Sequence, residues 1–345
     1  MSGNAWVKSF YAGMICLGIL ATGSAAAQSS DEFYKGKVVT VVVYTPPGSA
    51  YDLSGRLLAR HLSKHLPGEP TTIVKNMPGA GGLTATRYLY YTAPKDGTIL
   101  GTVGRGIPFE PLLGGAETVD FDPLKFTWLG SPASESSLAL AWHTAQVKTA
   151  QDLLVKELLV AGTGASADSE VVPRTLNGII GTKFKIISGY DGLTKASLAM
   201  ESGEIEGIAY WSWGAVKSGK LDWVQQKKVN LLFQTASTPH PELPDVPTVV
   251  SLAKTDQQRQ ALELLFARDS IAFPFLAPPD VPADRAKLMQ QAFVDSFRDP
   301  ELLADAKKAA FDISLVTGDQ VQAIIKKAFA TPPDVIALTR KAMGR

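Results

Sequence analysis

One short unit recurs along this chain: a run rich in β-branched residues, a loop that contains glycine, and then a helical pattern. The clearest copy is "KVVTVVVYT" at 37–45, followed by "PPGSAYD" and by "LSGRLLARHLSKHL", in which the leucines fall at helical spacing. Another copy joins "ELLVA", "GTGASAD" and "SEVVPRTLNGII". Strands that alternate with helices in this way predict an α/β fold with mainly parallel sheets.

The length of the chain, 345 residues, suggests two domains rather than one. We predict one α/β unit over 34–137 and a second over 138–231, with 232–345 returning to the first lobe. The last third is predicted to be largely helical, over 284–297, 300–310, 318–330 and 333–343, after a strand over 270–276. Two lobes joined by crossing strands would then face each other across a ligand cleft.

The first 27 residues have the pattern of a secretory signal peptide. Lys8 supplies a positive charge, an apolar run covers 10–20, and "AAA" at 25–27 satisfies the small-x-small cleavage rule. We therefore predict cleavage before Gln28 and a soluble product in an outer compartment. A membrane anchor is the alternative, but the apolar run is too short to span a bilayer. The only cysteine, Cys16, lies in the predicted signal, so we expect no disulfide.

Charge and motifs argue against several classes of function. Lys and Arg number 34 against 33 for Asp and Glu, so the chain lacks the basic excess with which proteins meet nucleic acid. Gly79 and Gly81 are followed neither by the lysine of a P-loop nor by the third glycine of a dinucleotide fingerprint. His61 and His65 lack the glutamate of H-E-x-x-H and are predicted to lie on a solvated helix face. We expect no catalytic residue, no metal and no cofactor.

The glycine loops are instead suited to binding an anion. A helix that begins after a strand leaves backbone N–H groups unpaired at its positive end, where phosphate, sulfate or carboxylate binds. In open α/β sheets such crevices lie at the carboxyl ends of the strands. In the first loop, the amides of Ser49, Ala50 and Tyr51 are candidates to hold a carboxylate oxygen. Asp52 follows as the helix cap, or as a residue that orients the loop or meets a ligand amine or water.

The second loop contains Gly79, Ala80 and Gly81. Residues this small would let the main chain approach a carboxylate with no side chain in the way. A tight turn without a ligand is the alternative. Arg105, which lies between two glycines after a strand, could clamp a carboxylate through two hydrogen bonds or could be a solvated surface residue.

The second lobe offers its own candidates. Its loop contributes hydroxyls and amides from Thr163, Gly164, Ala165 and Ser166. Trp213, one of three aromatics in "YWSWG", either forms a wall of the cleft or packs in the core.

Five segments, in this order, carry a resemblance to a known family: "VVVYTPPGSAYDLSGRLLARHLSKHL", "IVKNMPGAGGLTATRYL", "PKDGTILGT", "HPELPDVPTV" and "FLAPPDVPADR". They resemble the Bug-type periplasmic solute receptors of tripartite tricarboxylate transporters, over nearly the whole mature chain. The resemblance implies a two-lobed, type II-like binding protein that closes over a small carboxylate. One carboxyl group would lie on the amides of the first two loops, and the rest of the ligand would reach the second-lobe loop.

The resemblance also implies partners and a location: a periplasmic protein, expected to be a monomer, that delivers its ligand to integral-membrane transporter subunits without catalysis. Three departures concern the ligand, because Ser49, Met77 and Asp191 stand where the family often has a glycine, an arginine and a basic residue. They leave open a dicarboxylate, a tricarboxylate, an aromatic acid or an amino acid. The alternative functions are an exported enzyme that uses Asp52 or Asp168 as a base, and a receptor that signals to a partner.

Overall fold

The structure is a computed structural model, and it describes residues 30–114, 119–165, 167–236 and 238–345. The predicted signal segment at 1–27 and the site candidate Ser166 lie outside the described residues. Across these four ranges, no helix has both the length and the apolar character needed to cross a membrane.

The first lobe is built on a mixed sheet of six strands. They are β1 (Val38–Val43), β2 (Thr71–Asn76), β3 (Ile99–Thr102), β4 (Thr127–Ser131), β10 (Phe275–Ala277) and β11 (Val316–Thr317). The order across the sheet is β2-β1-β3-β10-β4-β11. Strand β1 pairs in parallel with β2 and β3, whereas β10 runs antiparallel to both β3 and β4. The side chains of Val41, Val42 and Val43 are fully buried, because both faces of β1 are covered.

The second lobe is built on a mixed sheet of five strands. They are β5 (Ser137–Trp142), β6 (Leu158–Gly162), β7 (Phe184–Ser188), β8 (Gly207–Ser212) and β9 (Val229–Gln234). The order is β7-β6-β8-β5-β9, with β6 parallel to β7 and β8, and β5 antiparallel to β8 and β9.

The two sheets share one arrangement. Each has three parallel strands, followed by an antiparallel strand that the chain adds after it crosses from the other sheet. One further strand follows in the five-stranded sheet and two follow in the six-stranded sheet. The inserted strands are β5 and β10. The two-lobed α/β fold is as predicted, but the sheets are mixed rather than mainly parallel. The crossing strands are the physical reason, because each enters its sheet in the reverse direction.

Helices cover the sheets, and several of them begin shortly after a strand ends. They are α1 (Ser30–Phe33), α2 (Ala50–Leu62), α3 (Leu83–Arg87), α4 (Glu110–Leu113), α5 (Asp168–Ile180), α6 (Leu193–Glu201), α7 (Trp213–Gln225), α8 (Asp256–Phe266), α9 (Ala283–Ser296), α10 (Pro300–Lys308), α11 (Gly318–Phe329) and α12 (Pro333–Met343). The strand predicted over 270–276 is wrong in its first part. A 3₁₀ turn covers Ala267–Ile271, and the strand begins only after Pro274, which has no N–H for a ladder.

The C-terminal helices divide between the two lobes. Helices α9 and α10 pack against α2 of the first lobe, as expected. Helices α8 and α12 pack against α5 of the second: Gln258 Nε2 donates to the Ile179 carbonyl at 2.9 Å, and a Cβ on Gly178 would lie 2.9 Å from that of Ala342. The expectation that the whole tail packs on the first lobe is therefore wrong for these two helices. The predicted boundaries of the lobes along the chain stay a prediction.

Candidate ligand-binding site

The loop between β1 and α2 presents three backbone N–H groups that lack a protein partner. Ser49 is the N-cap of α2, and its Oγ accepts a hydrogen bond from the Asp52 amide at 3.0 Å. Among the described residues, no hydrogen bond uses the amides of Ser49, Ala50 or Tyr51. Helix α2 is 13 residues long, so its dipole adds partial positive charge at these amides. The expectation that Asp52 is the cap is wrong, because the Ser49 hydroxyl has that role.

Asp52 instead holds the loop in place. Its carboxylate accepts from the Gly48 amide at 2.9 Å, from Arg56 Nε at 2.9 Å and from Asn76 Nδ2 at 2.8 Å. Burial raises the pKa of Asp52, but the hydrogen bonds from Arg56, Asn76 and Gly48 lower it by more, so that the pKa is about 2. A carboxylate stabilised in this way is a weak proton acceptor, which disfavours Asp52 as the base of an enzyme.

The glycine loop after β2 has a backbone that most side chains would not tolerate. Residues 79–82 all have positive φ, at 144°, 46°, 64° and 102°. A Cβ on Gly82 would lie 2.9 Å from the Tyr44 ring, whereas nothing lies within 4 Å of a Cβ on Gly81. The amides of Gly79, Ala80 and Gly81 have no partner among the described residues. The loop therefore exposes a second short run of free N–H groups beside open space.

Two tyrosines connect the loops that follow β1, β2 and β3. The rings of Tyr44 and Tyr51 meet edge to face, with centroids 4.7 Å apart. Tyr44 packs over Gly82, and the Tyr51 hydroxyl accepts from the Arg105 amide at 3.2 Å and donates to the Ala272 carbonyl at 2.9 Å. Burial raises the pKa of both hydroxyls, so both stay neutral at physiological pH. The carboxyl ends of β1, β2 and β3 thus converge on this aromatic pair.

Arg105 joins the two lobes. Its guanidinium lies 2.5 Å from Glu135 and 3.3 Å from Asp168 at the start of α5, and Asp269 lies 3.5 Å away. Only 19% of the side chain is exposed, so it is not a solvated surface residue. Burial lowers its pKa, but the nearby Tyr210 and carboxylates raise it well above the usual value, so the charge is permanent. A ligand carboxylate would have to share Arg105 with three protein carboxylates.

Asp269 is the buried centre of this network. Its carboxylate, 1% exposed, accepts from the Tyr210 hydroxyl at 2.8 Å and from the Thr235 hydroxyl at 2.7 Å. Arg268 donates to Asp168 at 2.9 Å from the same turn of chain. Burial raises the pKa of Asp269, against the lowering effect of Arg105 and Arg268. These contacts link the first lobe, the second lobe and both crossing segments.

Sequence reasoning missed four members of this network: Glu135, Thr235, Arg268 and Asp269. A signal for two of them was present, because "RD" at 268–269 lies between the apolar runs "ALELLFA" and "SIAFPFLA". Charged residues in such a setting are buried only when they are paired. Glu135 has no such signal, since it lies in the serine-rich stretch "SPASESS".

The second-lobe loop uses part of its polar groups internally. The Thr163 amide donates to Ser169 Oγ at 3.0 Å, and the Gly164 amide donates to Glu170 Oε1 at 3.0 Å. The Thr163 hydroxyl also lies 2.8 Å from Ser169 Oγ. The Ala165 amide has no partner among the described residues. A role for this loop in ligand binding stays a prediction.

Trp213 packs in the core of the second lobe. Its side chain is largely buried beside Trp211 and Trp223, and its indole N–H donates to Glu242 at 2.6 Å. Of the two alternatives for this residue, the structure places it in the core. A ligand contact for Trp213 stays a prediction.

The two neighbouring histidines do not lie on a solvated face, contrary to the sequence expectation. His61 is 6% exposed and lies 3.3 Å from Asp305, while His65 lies 3.0 Å from Asp299. His61 pairs with a residue of α10 and His65 pairs with the N-cap of that helix, because α10 packs against α2. His61, Asp299 and Glu301 offer ligand atoms within 4.8 Å of one another. The Lys64 ammonium, however, already binds the Asp299 and Glu301 carboxylates, at 2.6 and 2.9 Å.

Two curated proteins are similar to this chain in sequence. The UPF0065 protein in the gbd 5' region of Cupriavidus necator is 28% identical over 241 residues, which cover 68% of this chain and 69% of the relative. Protein BugT of Bordetella pertussis is 36% identical over 81 residues, which cover only 24% of each protein. No family model matches the chain.

Three solved structures share the fold. A TctC solute-binding protein from Polaromonas, without ligand, has a TM-score of 0.69 at 18% identity and covers 89% of this chain and 99% of its own. The periplasmic binding protein BugD has 0.53 at 19%, covering 90% and 98%. MatC from Rhodopseudomonas palustris with bound malate has 0.55 at 19%, covering 87% and 99%. The predicted resemblance is confirmed: the chain is similar in sequence to a UPF0065 protein and, over a shorter stretch, to protein BugT, and it is similar in fold to periplasmic solute-binding proteins of the TctC and BugD type.

Proposed function

We propose that this protein is a periplasmic solute-binding protein that captures a small organic carboxylate between its lobes and delivers it to a tripartite tricarboxylate-type membrane transporter. The observation that carries the proposal is the pairing of two amide runs, Ser49 to Tyr51 and Gly79 to Gly81, after adjacent parallel strands. Both runs lack protein partners in the described chain. A carboxylate there would receive charge-assisted hydrogen bonds that neutral ligands cannot make.

The helix that follows the first loop strengthens this end of the site. Helix α2 has 13 residues, so its N-terminus attracts an anion. Asp52 keeps the first loop rigid through Gly48, and Asn76 ties it to β2 by donating to the Thr45 carbonyl at 2.8 Å. The amides are therefore held in place before a ligand arrives, which lowers the entropic cost of binding.

Closure of the lobes would complete the site. Arg105, in the first lobe, contacts Asp168, in the second, and its amide lies beside the Tyr51 hydroxyl. A ligand that binds the closed arrangement better than the open one shifts the equilibrium toward closure. The malate held by the structural relative MatC supports a small organic acid as the ligand class.

The departures from the family pattern bear on the far end of the ligand. Asp191 is 87% exposed and pairs with Lys195 one helical turn away, at 2.8 Å. It faces solvent in this structure, so it gives no reason to propose a cationic ligand.

Replacement of Ala50 tests the proposal directly. Ala50 is an exposed residue at the first position of α2, where an acidic side chain is favourable for the helix. We expect Ala50→Glu to keep or raise the melting temperature and to abolish the stabilisation by carboxylates seen with wild type, because the added charge repels the ligand. Ala50→Gln, of the same size but neutral, should retain most of that response.

The readout is a melting-temperature screen against dicarboxylates, tricarboxylates, aromatic acids and amino acids. No shift of the wild-type protein with any acid would contradict the proposal. Equal shifts for the Glu and Gln variants would contradict the placement of the carboxylate at these amides.

Export and assembly have separate tests. If the protein is exported as proposed, the form recovered from the periplasm should begin at Gln28, which sequencing of its N-terminus would show. Light scattering of that form should give the mass of a monomer.

A further inference from the structure

Lys217 forms another charged contact between the lobes, apart from the Arg105 network. It lies in the second turn of α7, the helix that follows β8 of the five-stranded sheet. Its ammonium lies 3.0 Å from the Glu242 carboxylate and 3.1 Å from the Asp312 carboxylate. Asp312 belongs to the segment between α10 and β11 of the six-stranded sheet. A side chain of the second lobe therefore binds a carboxylate of the first.

Glu242 is fixed to the same lobe as Lys217. Its carboxylate accepts a hydrogen bond from the indole N–H of Trp213 at 2.6 Å, at the start of α7. The chain around Glu242 is bound to β9, because Gln234 Nε2 donates to the Leu243 carbonyl at 3.0 Å. Lys217 therefore keeps one carboxylate partner when the lobes separate, so opening does not leave its charge unpaired.

The Asp312 side of the contact is hydrated. Its side chain is 80% exposed, so water solvates the carboxylate whether or not the lysine is near. An ion pair between exposed groups costs little to break. Asp269, in the Arg105 network, is 1% exposed, and a buried charge of that kind is costly to separate from its partners. The contact between Lys217 and Asp312 can thus form and break as the lobes move.

A row of packed rings connects Asp312 to the first glycine loop. The ring centroids of Phe311 and Phe273 lie 5.1 Å apart, and those of Phe273 and Tyr51 lie 4.9 Å apart. Tyr51 belongs to the loop whose free amides form the proposed carboxylate site. Because Asp312 follows Phe311 directly, its contact with Lys217 sets the position of the second lobe relative to that loop.

We propose that Lys217 and Asp312 form a latch, which stabilises the closed arrangement of the lobes in the ligand-free protein and slows the release of a bound ligand. An exposed ion pair of this kind changes the ratio of closed to open molecules by about two- to five-fold. The effect on ligand release rests on the proposed function, whereas the effect on the lobes does not.

Distances between spin labels test the effect on the lobes. Residues 28–345 contain no cysteine, so Lys195→Cys on α6 and Lys287→Cys on α9, both at exposed positions, place one label on each lobe. Without ligand and at low ionic strength, we expect a closed population at the label distance of this structure. Asp312→Asn should lower the ratio of closed to open molecules by about two- to five-fold. Salt at about 0.5 M should lower it in the protein with Asp312 but not in Asp312→Asn, because salt screens exposed charges.

Two further variants separate the latch from other effects of charge. Asp280 is matched to Asp312, since it is 79% exposed and pairs with Lys95 at 2.9 Å within the first lobe. Asp280→Asn should leave the ratio of closed to open molecules unchanged. Lys217→Gln should lower the ratio as Asp312→Asn does, and the two changes together should have no larger effect than either alone. Absence of a closed population, or an unchanged ratio in Asp312→Asn, would overturn the proposal.

Release of a carboxylate found in the melting-temperature screen tests the effect on the ligand. Asp312→Asn should raise the dissociation rate constant by the same two- to five-fold factor, measured by stopped-flow dilution, because the closed state holds the ligand. Binding with an unchanged dissociation rate constant would overturn this part of the proposal. A protein that binds no carboxylate but shows the expected label distances would contradict the proposed function and support the latch.

Discussion

Replacement of Asp52 by asparagine tests whether one buried carboxylate holds the first glycine loop. The Asp52 side chain is 5% exposed and accepts hydrogen bonds from Gly48, Arg56 and Asn76. Its pKa falls from 3.8 to about 2, which corresponds to about 2 kcal/mol of preference for the ionised form in the folded state. An asparagine amide would lose this charge and would place an N–H group toward one of three donors.

We therefore expect Asp52→Asn to lower the free energy of unfolding by about 2–3 kcal/mol at pH 7. For a chain of this length, that is a fall in melting temperature of about 4 °C. Because the loop also carries the Ser49 and Ala50 amides, carboxylate affinity should fall as well. Thermal and denaturant unfolding, with and without ligand, would measure both effects.

The pH dependence separates ionisation from shape. Since the folded pKa is depressed, the contribution of Asp52 is complete above pH 3.8 and is lost as the pH falls toward 2. The difference between wild type and Asp52→Asn should therefore shrink between pH 5 and pH 2. Asp191→Asn, at a side chain that is 87% exposed, is the matched control and should change stability by less than about 0.5 kcal/mol. A difference that stays constant down to pH 2 would refute the reasoning.

Two further predictions concern the glycine loop and the second lobe. Gly82→Ala should destabilise the protein by about 2–3 kcal/mol, because the φ of Gly82 is 102° and the new Cβ would contact Tyr44. Gly81→Ala, with open space around the new Cβ, should cost about 1 kcal/mol in the same unfolding measurement. Equal losses of stability in the two variants would contradict the packing argument. Trp213→Phe should cost about 1–2 kcal/mol of stability through the lost bond to Glu242. If Trp213 also contacts the ligand, titration should show a loss of affinity, and unchanged affinity would contradict that contact.

The sequence predicted best those elements whose signals are local. Four C-terminal helices lie within two residues of their predicted bounds, because leucine and alanine periodicity and proline or glycine boundaries lie within each segment. Helix α8 was not predicted, although Thr255 caps it and its apolar face is regular. The mixed character of the sheets could not be read from local units, because β5 and β10 acquire their direction only from the crossings between lobes.

The candidate site likewise has parts that local sequence determines and parts that depend on contacts between the lobes. The free amides of the first two loops could be predicted, since a strand, a short loop and a helix within about 15 residues determine where they point. Even there, the roles of Ser49 and Asp52 were not resolved from the sequence. Both residue types cap helices, and only the geometry shows that the hydroxyl reaches the helix while the carboxylate reaches back to Gly48.

The network around Arg105 could not be predicted from local sequence, because its members are far apart in the chain. Arg105 meets Glu135 30 residues later and Asp168 63 residues later, and Asp269 comes from the return crossing. A charge so placed is costly to bury unless its partners are present, and one of these partners, Asp168, belongs to the second lobe. The contact between Arg105 and Asp168 could not be predicted from the sequence, because the two residues lie in different lobes. For the same reason, the energy of this ion pair depends on how the lobes are arranged. Ligand binding at the nearby amides would act on that arrangement.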